Sequence, residues 1–181
     1  MSPGSEVAFP AMDILLLLLR VLHVGLGAFW FGAVMFNTVF LGPALNEIGP
    51  DAAKVGAAMI RQKVMVYMPI AAITTILSGL WLYWRISGGF QPEFMGSRQG
   101  MTLGTGGLAA IVAVVLGLAI IKPAMEKAGA LGQKAGQSSG AERDALLAQA
   151  AAARGRSASG SIAVALLLVV AILAMAVARY V

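Results

Sequence analysis

Residues 14–41 read ILLLLLRVLHVGLGAFWFGAVMFNTVFL, an apolar stretch broken only by Arg20, His23 and Asn37. Roughly 17–25 predominantly apolar residues cross a bilayer as a helix, so this one stretch decides the fold class. At a rise of ~1.5 Å per residue it spans about 42 Å, more than the roughly 30 Å hydrocarbon core, which implies a tilt or a projecting end. Pro43 is expected to end it. A cleaved leader has a basic start and an apolar core of about 7–15 residues. Here Glu6 and Asp13 precede a far longer stretch, so a retained helix is expected.

Three further stretches repeat the pattern. Residues 64–84 are apolar, with Pro69 near the start and Arg85 behind the end; residues 101–121 end at Lys122-Pro123; residues 162–178 end at Arg179. The expected fold is all-α, an integral membrane four-helix bundle, with 1–181 as a single membrane domain. The composition agrees: 59% of the 181 residues are hydrophobic, 12% are charged, and the mean hydropathy is +0.85. Soluble chains carry about twice that share of charge. There is no cysteine, which removes disulfides, thiolate metal sites and cysteine nucleophiles.

The net charge of +5 sits mainly in two loops. Lys54, Arg61 and Lys63 lie in loop 42–63, and Lys122, Lys127, Lys134, Arg143, Arg154 and Arg156 lie in loop 122–161. The other side has Arg85, Arg98 and Arg179, with Arg20 if it snorkels that way. Nine against four places loops 42–63 and 122–161 in the cytoplasm and both termini outside, in a bacterial inner membrane. Basic residues in short loops between spans reflect membrane orientation, so no nucleic-acid partner is expected. Within the loops, Gly49-Pro50-Asp51 marks a helix start with proline at the first helical position, leading to an interfacial helix over 51–63. Ser139 and Glu142 have capping-box spacing, which predicts a short helix over 140–154. No long-period internal repeat is visible.

The residue types that carry chemistry gather in the first span. His23 is the only histidine. Ionisable groups at membrane depth are costly and usually face a bundle interior. At 100° per residue, His23, Gly27, Trp30, Val34, Asn37 and Leu41 form one stripe, with Arg20 one turn away. A neutral imidazole there is a candidate ligand for haem iron or copper, and Arg20 a candidate partner for a haem propionate. The plainer reading is a histidine bonded to a neighbouring helix, with Arg20 snorkelling outward. One histidine excludes a bis-histidine haem within one chain.

Ten methionines suggest thioether copper chemistry. They are scattered, however, and only Met65 and Met68 share a helix face, so gap-filling in apolar packing is preferred. Gly104-Thr105-Gly106-Gly107 lacks the lysine and the strand of a phosphate loop and reads as close helix packing. Thr74, Thr75, Ser78 and Gly79 read likewise as helix contacts, or as the wall of a cofactor pocket. No Asp or Glu lies within a span, which argues against a proton-coupled transporter, and no hydrolytic triad has members. The apolar fourth span is expected to face lipid or a partner protein.

Leu22-His23, Phe29-Trp30-Phe31-Gly32 and Gly42-Pro43-Ala44-Leu45 together resemble the first helix of the copper-resistance D superfamily of membrane proteins. Thr75-Ile76-Leu77-Ser78-Gly79 resembles the small-residue stretch of that group's next helix. The resemblance covers about the first 85 residues and extends beyond them only in helix number. The chain is similar also to the haem-associated membrane oxidases of porphyrin synthesis, which place a histidine at the corresponding point. The resemblance implies a four-helix unit with His23 as the haem b or copper ligand; every other histidine of the pattern is missing here. The expected function is a non-enzymatic accessory or structural subunit of a larger membrane complex. Its partners would be the lipid bilayer and other membrane subunits or further copies of itself. The alternative is a haem- or copper-binding membrane protein using His23.

Overall fold

The computed structural model describes residues 14–49 and 52–181. Glu6, Asp13, Pro50 and Asp51, on which the leader argument and the expected helix start rest, lie outside them. The described residues form helices and turns, with no strand among them. The helices are α1 (Ile14–Phe36), α2 (Gly42–Glu47), α3 (Ala52–Arg61), α4 (Val64–Ile86), α5 (Pro92–Met95), α6 (Arg98–Leu116), α7 (Lys122–Ala135) and α8 (Gly140–Val177), closed by a 3₁₀ turn at Ala178–Tyr180. Four helical runs are long and apolar enough to cross a membrane: Ile14–Glu47, Val64–Ile86, Arg98–Ala135 and Gly140–Tyr180. The expected all-α four-helix membrane bundle is what the chain forms.

Two of the runs are longer than expected, for one reason. Proline has no N–H to offer the carbonyl four residues back, and its ring crowds that carbonyl. Ahead of Pro43 the backbone widens into a π-turn at Asn37–Leu41, and the Gly42 N–H donates to the Asn37 carbonyl. Ahead of Pro123 it widens again at Gly117–Ile121, and the Lys122 N–H donates to the Gly117 carbonyl. Each proline then takes an early position in the next helix, where the missing N–H costs little. The expected stop at Pro43 is therefore a continuation to Glu47, and the third run continues through α7 to Ala135. At ~1.5 Å per residue that third run is about 57 Å long, so it projects well beyond a hydrocarbon core of roughly 30 Å. The two prolines stand eighty residues apart, each after the same π-turn. This is a structural repeat that residue identities do not display.

The expected short helix over 140–154 is helical, but it does not stop. It runs into the fourth span as the single helix α8. Ser139 takes the N-cap position without a side-chain bond to the helix backbone, so the expected capping box is not formed. Gly140, at φ +59°, turns the chain into the helix in a conformation that glycine adopts at little cost.

The main packing partners are α1 with α4, and α6 and α7 with α8; α4 with α6 and α1 with α8 complete the ring. The core is Trp30, Ala72, Ala109, Ala110, Ala113, Val164, Leu168 and Ala171. Its small residues let backbones approach closely, which is how helices associate where lipid is as apolar as leucine. A Cβ added to Gly106 would lie 3.0 Å from the Ala174 Cβ and 3.1 Å from the Ala171 carbonyl oxygen. Beyond the core, α7 and α8 meet through buried Ala128, Ala135, Ala150, Ala153 and Ser157. The fourth span keeps an outward apolar face, with Leu166 and Leu173 exposed, yet it is the most enclosed of the four. Within its most apolar window 33% of residues are buried, against 6% for the first span. Its buried residues Val164, Ala165, Leu168 and Ala171 lie within the stretch 162–178, which has no polar side chain.

Candidate functional site

The stripe read along the first span is a real face. His23 is half-buried against α4, Trp30 is 6% exposed, and Val34 packs on the core. Two glycines bring α1 and α4 together around His23. A Cβ on Gly27 would sit 3.4 Å from Thr75 Cγ2, and one on Gly79 would sit 2.6 Å from His23 Cε1. The imidazole therefore occupies the space that a side chain at position 79 would take.

His23 Nδ1 lies 2.9 Å from the Thr75 carbonyl oxygen and 3.3 Å from Ser78 Oγ. A carbonyl oxygen only accepts, so Nδ1 carries the proton and donates, and in the neutral ring the lone pair is on Nε2. The two neighbouring hydroxyls are turned to their own helix. Thr75 Oγ1 donates to the Ala71 carbonyl at 2.8 Å, and Ser78 Oγ to the Thr74 carbonyl at 2.7 Å. Such back-bonding by Ser and Thr is common within helices. Nε2 has no hydrogen-bond partner among the described residues. Arg20 stands exposed on α1, and neither a hydrogen bond nor an ion pair joins it to His23.

For the cofactors named above, this geometry offers a single nitrogen donor. Fixing one ring nitrogen on a backbone carbonyl is how proteins orient an imidazole that ligates through the other, but His23 Nε2 lies 3.6 Å from where a Cβ on Gly79 would be and the residue lines no cavity among the described residues. It does not make a copper site by itself, and no group of three or more His, Cys, Asp or Glu is gathered among the described residues.

A second place stands out further along the bundle. A cavity of about 220 Å³ lies between the helices and is lined from every span. The first span supplies Trp30, Val34, Asn37 and Thr38. The second supplies Met65, Met68 and Ala72, the third Ala113, Gly117, Lys122 and Met125, and α8 adds Ser161 and Val164. Met59 of α3 closes it from the side of the connecting loop. Both π-turns border it, and such turns are frequent at functional positions. The wall is almost wholly apolar, with polar groups from Asn37, Thr38, Lys122 and Ser161. His23 is not part of the lining, so the histidine and the cavity are separate features on one helix.

Sequence reasoning found His23, Asn37 and Trp30, but it missed Thr38, Lys122 and the gathering of Met59, Met65, Met68 and Met125. The spacing signal existed for Met65 and Met68 alone; the other two methionines arrive from different helices. Comparison with family models, with curated proteins and with solved structures yields no match to this chain.

Proposed function

We propose that the chain is a non-catalytic membrane protein that holds a small, largely apolar molecule between its helices, acting as an accessory subunit or as a small assembly of identical copies. The observation that carries this reading is the cavity of about 220 Å³. Interhelical cavities with apolar walls and a few convergent polar groups are the usual form of a small-molecule site. The flexible methionines around it suit a ligand of irregular shape. The basic residues orient the protein with α2, α3 and α7 on the cytoplasmic side of a bacterial inner membrane and both termini outside. The cavity then lies toward the cytoplasmic leaflet.

Gly117 provides the test. It lines the cavity, and a Cβ built on it meets nothing within 4 Å, so Gly117→Leu fills space without displacing a neighbour. The wild-type chain extracted in mild detergent is expected to carry a stoichiometric small molecule visible by native mass spectrometry, and Gly117→Leu to lose it while remaining folded. A wild-type protein that carries none, and whose melting temperature no amphiphile raises, would overturn the reading.

A second reading rests on the unpartnered Nε2 of His23 and on the resemblance of the first helix to the copper-resistance D superfamily. In it, His23 supplies one axial ligand to haem b, with the second ligand from another copy or subunit. A Soret band in the purified protein that disappears in His23→Ala supports it. A colourless protein after expression with added haem removes it.

A further inference from the structure

We infer that the interhelical cavity selects a single-chain amphiphile with an oxyanion head, a carboxylate or a phosphate, held by Lys122 at the mouth and Thr38 within. The inference rests on the ligand-binding reading above and names the class of ligand.

In a bilayer the tail of a ligand gains little by entering the protein, because acyl chains are already as apolar as the cavity wall. Selectivity must therefore come from the head. The wall offers two polar groups whose bonding is incomplete. Thr38 Oγ1 is buried and has no hydrogen-bond partner. Three other threonine hydroxyls in the spans bond back to their own helix: Thr75 to Ala71, Thr102 to Arg98 and Thr105 to Met101, at 2.8–2.9 Å. Thr38, which lies inside the π-turn Asn37–Leu41, makes no such bond. A buried hydroxyl without a partner is unfavourable, and a ligand oxygen relieves it by accepting a hydrogen bond from it.

The second group is Lys122, directly after the other π-turn. Its ammonium lies 4.0 Å from a Glu126 carboxylate oxygen, with the two side chains 44% and 59% exposed. An exposed pair at that separation is weak, so the charge is available to a second anion. Asn37 and Ser161 add an amide and a hydroxyl to the same lining. About 220 Å³ is below the roughly 300–1,000 Å³ of sites that enclose drug-sized ligands. That volume suits one chain beneath its head and not a two-chain phospholipid.

The experiment uses the full chain in nanodiscs and bromine quenching of tryptophan fluorescence, since Trp30 lines the cavity. Trp30→Phe identifies the quenching owed to Trp30, apart from that of Trp81 and Trp84. The probes are ω-bromododecanoic acid, ω-bromododecyl phosphate, ω-bromododecanol and the methyl ester of the acid. The acid, the phosphate or both are expected to bind at least about tenfold more tightly than the alcohol and ester, a tenfold ratio corresponding to one charge-assisted contact. The better of the two anions identifies the head. Lys122→Gln is expected to abolish that preference while leaving alcohol binding unchanged, and Lys122→Arg to keep it. Thr38→Val is expected to weaken all four probes several-fold. Equal binding of anionic and neutral probes, or an unchanged preference in Lys122→Gln, overturns the oxyanion assignment while the cavity still binds. Unchanged affinities in Thr38→Val overturn the placement of the head. No Trp30 quenching by any probe overturns the ligand-binding reading itself.

Discussion

Gly79 and His23 form a matched pair, and their dependence on each other is measurable. Alanine in place of an unconstrained helical glycine stabilises by roughly 0.5–1 kcal/mol. At position 79 the new Cβ would lie 2.6 Å from His23 Cε1 and 3.1 Å from Nδ1, so overpacking outweighs propensity. Gly79→Ala is expected to destabilise the protein by about 1–3 kcal/mol and to break the Nδ1–H bond to the Thr75 carbonyl. In a His23→Ala background the same change should be neutral or stabilising. Thermal unfolding of the four proteins of this cycle in detergent provides the check; equal effects of Gly79→Ala in both backgrounds would show that the ring does not fill that space. His23 was legible in the sequence as an intramembrane polar residue, and Gly79 as one of a run of small residues. That each explains the other follows only from the facing of α1 and α4.

At the scale of the helix, Gly106 and Gly107 are adjacent in sequence and opposite in environment. Gly106 is buried, and a Cβ there would press on Ala171 and Ala174 of α8; a Cβ on Gly107 meets nothing within 4 Å. Gly106→Leu is expected to cost about 1–3 kcal/mol or more by forcing α6 and α8 apart. Gly107→Leu should change stability by no more than about 0.5 kcal/mol. Unfolding midpoints compared side by side test the contrast, and similar losses for both would place α6 in a different rotation. The Gly-Thr-Gly-Gly sequence announces close packing without saying which glycine supplies it. The π-turns were equally hidden. Pro43 and Pro123 read as helix stops, yet a helix that widens by one residue before a proline can continue past it, and whether it does depends on packing further along.

For the whole molecule, orientation in the membrane is the property with the most direct test. The chain has no cysteine, so single-cysteine variants need no background removal. Ser138, between α7 and α8, and Gln91, between α4 and α5, lie at opposite ends of the bundle. With nine basic residues in the loops 42–63 and 122–161, Gln91→Cys is expected to react with a membrane-impermeant maleimide on intact cells. Ser138→Cys is expected to react only after lysis. The reverse pattern would invert the orientation and place the cavity nearer the outer leaflet. The long α7–α8 hairpin projects on the same side as Ser138, joined by buried alanines.

By itself the sequence determined the fold class, the four spans and the residues able to carry polar chemistry in the first of them. These follow from local composition measured against a fixed bilayer thickness, which needs no knowledge of neighbours. Only the tertiary structure decided which faces are enclosed. It enclosed one face of the fourth span, whose apolar stretch 162–178 suits lipid and protein interior equally well, and left the first span the most exposed. It gathered Met59, Met65, Met68 and Met125 with Thr38 and Lys122 around one cavity, from helices far apart in the chain. The physical reason is that hydropathy cannot distinguish acyl chains from apolar side chains. Inside a membrane, helix rotation and partner choice are set by the close fit of small residues and a few polar contacts, and these exist only once the helices have met.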